Sequence, residues 1–264
     1  MTAPPPSRLG ILTVVRNDRA GLADTYHSLR GQLGPDVIWM VVDGASTDGT
    51  AEWLAAHAHV TAWWRSSPDS GPYDAMNDAL DAARRLDCSH VLFLNAGDRL
   101  ATGDGAARLT QAIARHLDCA LLYGDALERQ GDGRILLKRA RSHRWAFLGM
   151  FTHHQAMTYR IGALTGLRFD SAYRIAADYA FTLAVLDRGR AVRLGWAVCV
   201  FAPGGLSQRD ADAGRGEQAA IRQRRYGHGM ARTAAIAALQ RVALAVRHHF
   251  PALYAKLRFR RPET

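Results

Sequence analysis

Apolar residues fall along this chain in short blocks. Five of them, at 9–15, 37–42, 60–64, 91–94 and 120–123, are four to seven residues long, which predicts strands. Between them, residues 20–33, 50–58, 73–86 and 106–117 bring apolar side chains back at three- and four-residue spacing, which predicts helices. Strand and helix in alternation predict an α/β fold with a Rossmann-like, mostly parallel central sheet flanked by helices. Open sheets of that kind collect ligands beyond the carboxyl ends of their strands, so the residues after each strand carry the most chemical information.

Those ends are polar. Arg16-Asn17-Asp18 follows the first strand and Asp43-Gly44-Ala45-Ser46-Thr47-Asp48-Gly49-Thr50 the second. Ser66-Ser67-Pro68-Asp69-Ser70-Gly71-Pro72-Tyr73-Asp74 follows the third and Asn95-Ala96-Gly97-Asp98 the fourth. Four successive strand ends therefore offer carboxylates or amides to one edge. Asp, Asn, Ser and Gly also cap helices and make turns; Thr47 and Asp48 suit that duty, whereas Asp43 and Asp98 are harder to dismiss in that way.

Composition limits the scale. With 264 residues, 48% of them apolar, the chain can bury one substantial core with a short appendage. Cys88, Cys119 and Cys199 are odd in number, widely spaced and next to apolar segments, which suggests neither a disulfide framework nor a zinc cluster and fits a reducing cytoplasm. Residues 1–7 read as a disordered lead-in without the features of a secretory signal. The net charge of +10 is localised: no acid occurs between Gln218 and Pro262, and the ten cations of that segment equal the excess of 34 basic over 24 acidic residues.

Four runs occur in order: Val41-Val42-Asp43-Gly44-Ala45-Ser46-Thr47-Asp48-Gly49-Thr50, Pro68-Asp69-Ser70-Gly71-Pro72-Tyr73-Asp74-Ala75-Met76-Asn77, Phe93-Leu94-Asn95-Ala96-Gly97-Asp98 and Ala176-Ala177-Asp178-Tyr179. Together they resemble the signatures of family 2 glycosyltransferases, which have the GT-A fold, and look closest to bacterial exopolysaccharide and colanic-acid type members. The resemblance spans about residues 9–206 and implies an inverting enzyme that moves a sugar from a UDP- or GDP-sugar to a glycan or polyprenyl-diphosphate-linked acceptor. Asp43 resembles the aspartate that reads the nucleobase, with Thr13 and Asn17 beside it; an Asx turn is its plainer reading. Asp69 and the turn through Gly71, Tyr73 and Asn77 resemble the segment that meets ribose and diphosphate, where a helix start offers N–H groups to anions. Tyr73 also reads as core packing, and Asp74 as a helix-start residue.

The family's metal motif, two aspartates one residue apart, is altered. Ala96 replaces the first, leaving Asp98 as the ligand for Mg2+ or Mn2+, with Asn95 and Gly97 on the same donor-binding loop. Hard cations take oxygen ligands and keep waters, so one carboxylate plus phosphate oxygens can suffice. Thr152-His153-His154-Gln155 begins a predicted strand and looks like an acceptor-side segment. Neighbouring strand residues face opposite ways, so at most one histidine faces the site. His154 is the histidine that reads as a third metal ligand or a donor to the diphosphate, with Gln155 as a further contact to acceptor or diphosphate; a core or surface histidine is the plainer reading of either. Asp178 matches the family's catalytic base, which takes the proton of the attacking hydroxyl. Its plainer reading is a helix N-cap, worth about 1 kcal/mol.

Residues 8–206 therefore read as the catalytic domain and 207–264 as a basic, amphipathic helical tail. Ile236, Leu239, Ala243, Val246, Phe250, Leu253 and Leu257 form an apolar stripe, with Arg241, His248 and Lys256 opposite and Pro251 interrupting the helix. That pattern suits peripheral contact with the anionic inner face of a cell membrane, or packing on the catalytic domain or a second copy. Nucleic acid is disfavoured, since no recognised motif accompanies the charge. Two other functions stay open: a non-catalytic nucleotide-sugar-binding or membrane scaffold protein, favoured by Ala96, and a sugar nucleotidyltransferase, disfavoured because no Gly-rich phosphate loop follows the first strand.

Overall fold

The computed structural model describes residues 7–130, 132–205, 210–227, 229–250 and 259–260. Residues 1–6 of the expected lead-in, the expected boundary at 206–207, and Pro251, Leu253, Lys256 and Leu257 of the tail lie outside the described residues. The chain opens with β1 (Leu9–Val15), α1 (Arg19–Leu29), β2 (Val37–Asp43), α2 (Thr50–Ala56), β3 (Trp63–Ser66), α3 (Pro72–Arg85) and β4 (His90–Phe93). It continues through β5 (Arg99–Leu100), α4 (Gly105–Arg115), β6 (Leu121–Arg129), β7 (Ile135–Lys138), β8 (Met157–Arg160), α5 (Ala177–Leu186) and β9 (Ala191–Phe201). Two tail helices, α6 (Ala211–Tyr226) and α7 (Met230–His249), and the two-residue β10 (Phe259–Arg260) follow.

One sheet runs β10-β7-β6-β8-β4-β1-β2-β3, and β9 pairs with both β6 and β5. The β4-β1-β2-β3 block is parallel, as is the long β6–β9 pairing, whereas β8 joins β4 to β6 antiparallel. Helices cover both faces, which is why β1 and β2 are nearly continuous apolar runs. Leu12, Val14, Met40 and Val42 point into a core with Met76 and Leu80 of α3, while Ile11, Trp39 and Val41 point into another with Leu22 of α1 and Leu109 of α4.

Several predicted boundaries move. The third strand starts at Trp63 because Ala58–Val60 form a 3-10 turn, and the Met40–Trp63 register sets its start. Helix α1 stops at Leu29, two residues before Gly31 turns left-handed at φ 81°. Within the tail, Gly227 adopts φ 59° and donates its N–H to Gln223 O at 3.0 Å, which ends α6 and separates it from α7. Ile221 and Arg222 of α6 are buried, and Gln240 of α7 donates to Leu148 O at 3.2 Å, so both helices touch the α/β body. The predicted stripe is divided: Ile236 is buried, whereas Leu239 and Phe250 are 57% and 60% exposed.

Candidate active site

The carboxyl ends of the parallel strands open on a cleft of about 1280 Å³, bounded on the other side by residues 201–205, the segment before β8, and α6. Asn17, at φ 51°, stitches the first two strand-end loops together. Its N–H donates to Ser46 Oγ at 2.7 Å and its Oδ1 accepts the Thr47 N–H at 2.8 Å. Asp69 accepts the Gly71 N–H at 2.9 Å. Gly71, at φ 130°, then starts α3 with Pro72 at its first position and no side-chain cap. The first turn of this 14-residue helix borders the cleft, where its uncapped N–H groups and dipole favour an anion.

Three expected donor contacts stand behind the cleft wall. Thr13 donates to Leu94 O at 2.7 Å and accepts from Trp39 Nε1 at 2.9 Å, tying β1 to its neighbours. Asp43 is fully buried, and its carboxylate accepts the Ser66 hydroxyl at 2.6 Å together with the Ser46 hydroxyl and N–H. Asn77 accepts the Phe169 N–H at 2.9 Å and donates to Phe169 O at 3.0 Å, pinning the approach to α5. Each of these polar groups spends its hydrogen bonds on the fold, so the cleft is lined instead by Asn17, Asp69, Gly71, Tyr73, Asn95, Ala96 and Gly97 of the expected set.

Asp98 lies at the cleft floor, 3% exposed. Gly97, at φ 88°, donates its N–H to Gly21 O at 2.9 Å and to Thr25 Oγ1 at 3.1 Å, which fixes the turn that presents it. Asp98 Oδ1 accepts the Ala202 N–H at 2.8 Å. Burial pushes the carboxyl up to about 7, against the pull of Ala202, the Gln155 amide and the Arg129 charge. Asn95 Oδ1 and His154 Nε2 border the same cleft, buried and without a hydrogen-bond partner. Among the described residues no three His, Cys, Asp or Glu side chains cluster for a metal. The unused Asn95 oxygen and His154 nitrogen line the same cleft as the Asp98 carboxylate and are donor types that a divalent cation drawing its other ligands from phosphate and water accepts.

Both histidines border the cleft, against the strand-alternation expectation that at most one would face it. Residues His154–Ala156 form a 3-10 turn, and β8 starts only at Met157. His154 turns inward and stacks on Phe93 at 5.0 Å; burial pushes it down to about 3, so it is a neutral imidazole. His153 stacks on Phe201 at 4.2 Å, with Nε2 2.5 Å from Glu128 Oε1 and 3.0 Å from Lys138 Nζ. Burial would raise the Glu128 carboxyl, but these partners hold it at about 2.

Asp178 is the second residue of α5, half-buried on the cleft wall opposite the strand ends. Oδ1 accepts the Tyr179 N–H at 2.7 Å and lies 3.4 Å from the Tyr73 hydroxyl, and the residue lines the cleft. Tyr73 also donates to Ile175 O at 2.5 Å. Burial pushes the Asp178 carboxyl up to about 6; the Tyr179 and Tyr73 bonds oppose this and the Glu217 charge adds to it. Asp98 and Asp178 therefore share one cleft, and Asp43 does not reach it.

Sequence reading missed Arg129, Arg215, Gln218 and Glu217. The first three line the cleft, and Glu217 accepts the N–H groups of Arg174, Ile175 and Ala176. The available signal for Glu217 was its position as the last acid before the acid-free run.

Known proteins resemble this arrangement. An uncharacterized glycosyltransferase of Mycobacterium tuberculosis is 29% identical over 218 residues, 81% of either chain. A PGL/p-HBAD biosynthesis glycosyltransferase of Mycobacterium bovis is 30% identical over 186 residues, covering 66% of this chain and 67% of the relative. The fold is similar to that of Staphylococcus aureus TarS residues 1–349, with a TM-score of 0.63 and 18% identity over 81% of this chain; the chain spans 65% of that fragment's length. Glucosyl-3-phosphoglycerate synthase from M. tuberculosis, solved with Mn2+, UDP and its sugar product, gives a TM-score of 0.61 at 15% identity, covering 84% of this chain and 81% of that one. The curled, mostly parallel sheet is the GT-A fold. Residues 11–176 match the family described as glycosyl transferase family 2, and the chain belongs to that family of glycosyltransferases.

Proposed function

We propose that this glycosyltransferase transfers a hexose, with inversion, from a UDP- or GDP-sugar to a glycan or polyprenyl-diphosphate-linked acceptor in cell-surface or exopolysaccharide synthesis. The observation that carries the reading is the shared cleft of Asp98 and Asp178, with the α3 N-terminus between the strand ends and α5. The donor diphosphate fits the side formed by α3, Asp69 and Asp98. An acceptor hydroxyl entering beside α5 would meet the Asp178 carboxylate, which takes its proton as the hydroxyl oxygen bonds to the anomeric carbon and the nucleoside diphosphate departs. No enzyme-bound sugar intermediate is required. Negative charge grows on the leaving group, where Arg129 and the α3 dipole oppose it. A bound Mg2+ or Mn2+, held by Asp98 with Asn95 and His154, would supply further charge neutralisation there.

Support for the nucleotide-sugar donor and metal comes also from neighbours of the same fold. A Pyrobaculum calidifontis mannosyltransferase solved with GDP-Man and Mn2+ has a TM-score of 0.57 at 20% identity, covering 82% of this chain and 63% of that one.

The membrane contact rests on exposed Leu239, Val242 and Phe250 alongside exposed Arg232 and Arg241 in and after α7. No helix among the described residues is long and apolar enough to cross a membrane. A cytoplasmic, inner-face location follows from this reading. Thermal-shift screening against UDP- and GDP-sugars with and without Mn2+, followed by nucleotide-release assays, tests the function. A stabilising donor that is hydrolysed or transferred supports it. Binding without turnover on any acceptor favours a scaffold protein.

A further inference from the structure

We propose that Glu217 is a positioning residue for Asp178, so that helix α6 completes the catalytic assembly; the inference rests on Asp178 being the base. Helix α5 starts at Ala177 with no side chain capping it from within the chain leading to it. The carboxylate arrives instead from α6. Glu217 Oε1 accepts the Arg174 N–H at 2.9 Å, and Oε2 accepts those of Ile175 at 2.9 Å and Ala176 at 2.7 Å. Three successive backbone donors on one carboxylate are charge-assisted bonds, stronger and shorter than neutral ones. The same strip is held on its acceptor side by Tyr73, which donates to Ile175 O and reaches Asp178 Oδ1. The backbone two to four residues before the base is thereby gripped from both sides.

Helix α6 is anchored well enough to act as the grip. Ile221 and Arg222 are buried, and Arg225 donates to Leu183 O at 2.9 Å and pairs with Asp187 at the far end of α5. Gly214, one turn before Glu217, lies against Ile175: an added Cβ would fall 3.0 Å from Ile175 Cγ2. Arg215 and Gln218, on either side of Glu217, border the cleft itself. An amide could not replace the carboxylate without turning an NH2 group toward N–H donors. The ionisable groups acting on or acted on by Asp178 are Tyr73 from α3, Tyr159 from β8 and Glu217 from α6.

The test is Glu217→Gln in the full chain, assayed for nucleoside diphosphate release with the UDP- or GDP-sugar and acceptor that the wild type turns over. Folding is checked by circular dichroism. Expected is a fall in kcat on the order of 10- to 100-fold with donor KM unchanged. The acid limb of kcat should also move to lower pH, because an anion that opposed ionisation of Asp178 has been removed. A kcat within twofold of wild type with an unmoved limb overturns the proposal. So does an equal loss in kcat and donor affinity with an unmoved limb, the mark of general damage. Should Glu217→Gln not fold, Gly214→Ala pushes α6 from Ile175 with the charge intact: a lowered kcat at constant donor KM supports the proposal and wild-type kcat overturns it. Asp178→Asn separates the two layers. If it retains wild-type transfer, the assignment of the base fails; if it is inactive while Glu217→Gln behaves as wild type, only the positioning role fails.

Discussion

Replacing Asp178 with Asn should make the protein more stable and less active. The wild-type carboxyl titrates near 6 in the fold, because burial outweighs the Tyr179 and Tyr73 bonds, and near 3.8 in the unfolded chain. Such a raised acid destabilises the native state progressively as pH rises above the unfolded value, and fully once pH passes the folded value, since the unfolded chain releases its proton more readily. The gap corresponds to about 3 kcal/mol at pH 8 as an upper figure. Contact of the carboxylate with water in the cleft lowers it, and about 2 kcal/mol is expected. Asn is nearly isosteric, and its Oδ1 keeps both hydrogen bonds because Tyr179 and Tyr73 meet that one oxygen. The variant should therefore melt roughly 4–8 °C above wild type at pH 8 by calorimetry. At pH 4.5 the difference should shrink to about a third, as the native carboxyl takes up its proton. Sugar transfer should fall by a factor on the order of 10² to 10⁴, the usual worth of a general base. A variant less stable than wild type at pH 8, or one whose advantage persists undiminished at pH 4.5, would refute the assignment of a desolvated carboxylate.

Other outcomes follow from the same geometry. In the wild type, kcat should lose its acid limb at about pH 6: Asp178 must be ionised to accept a proton, so a steady-state profile should fall about tenfold for each further pH unit below that point. Asn77→Ala should cost about 1–3 kcal/mol in urea unfolding through two unmade bonds to Phe169, with donor KM unchanged because the side chain does not border the cleft. Chelation by EDTA should abolish transfer, and Ala96→Asp, which adds a carboxylate to the cleft, should lower the Mn2+ concentration giving half-maximal activity several-fold.

Legibility in the sequence followed how local each determinant is. Strands β1 and β2 were readable because burial on both faces demands unbroken apolar runs, and Asp98 and Asp178 because each lies in a compact motif. Asp43 carried an equally clear motif, yet Ser46 and Ser66 engage both its oxygens, and a hydroxyl 23 residues away is not visible from spacing. Glu217 acts on backbone about forty residues earlier, a pairing with no periodic signature. The segment from Thr152 has strand-like composition, but the 3-10 turn at His154–Ala156 delays extended pairing to Met157. The break at Gly227 is written in the sequence as Gly-His-Gly, a weaker local signal than Pro251.

The bond between Asp98 and the Ala202 N–H spans 104 residues. During synthesis, β1 to β4 and their helices emerge well before Ala202 does. A nascent chain can thus build the parallel block while Asp98 still lacks the amide that later fastens it, because β9 must close a long loop onto β6 and β5 first. Fastening of Asp98, the proposed cation ligand, is thereby deferred until β9 docks, and a truncated product that ends before β9 carries the motif without that amide.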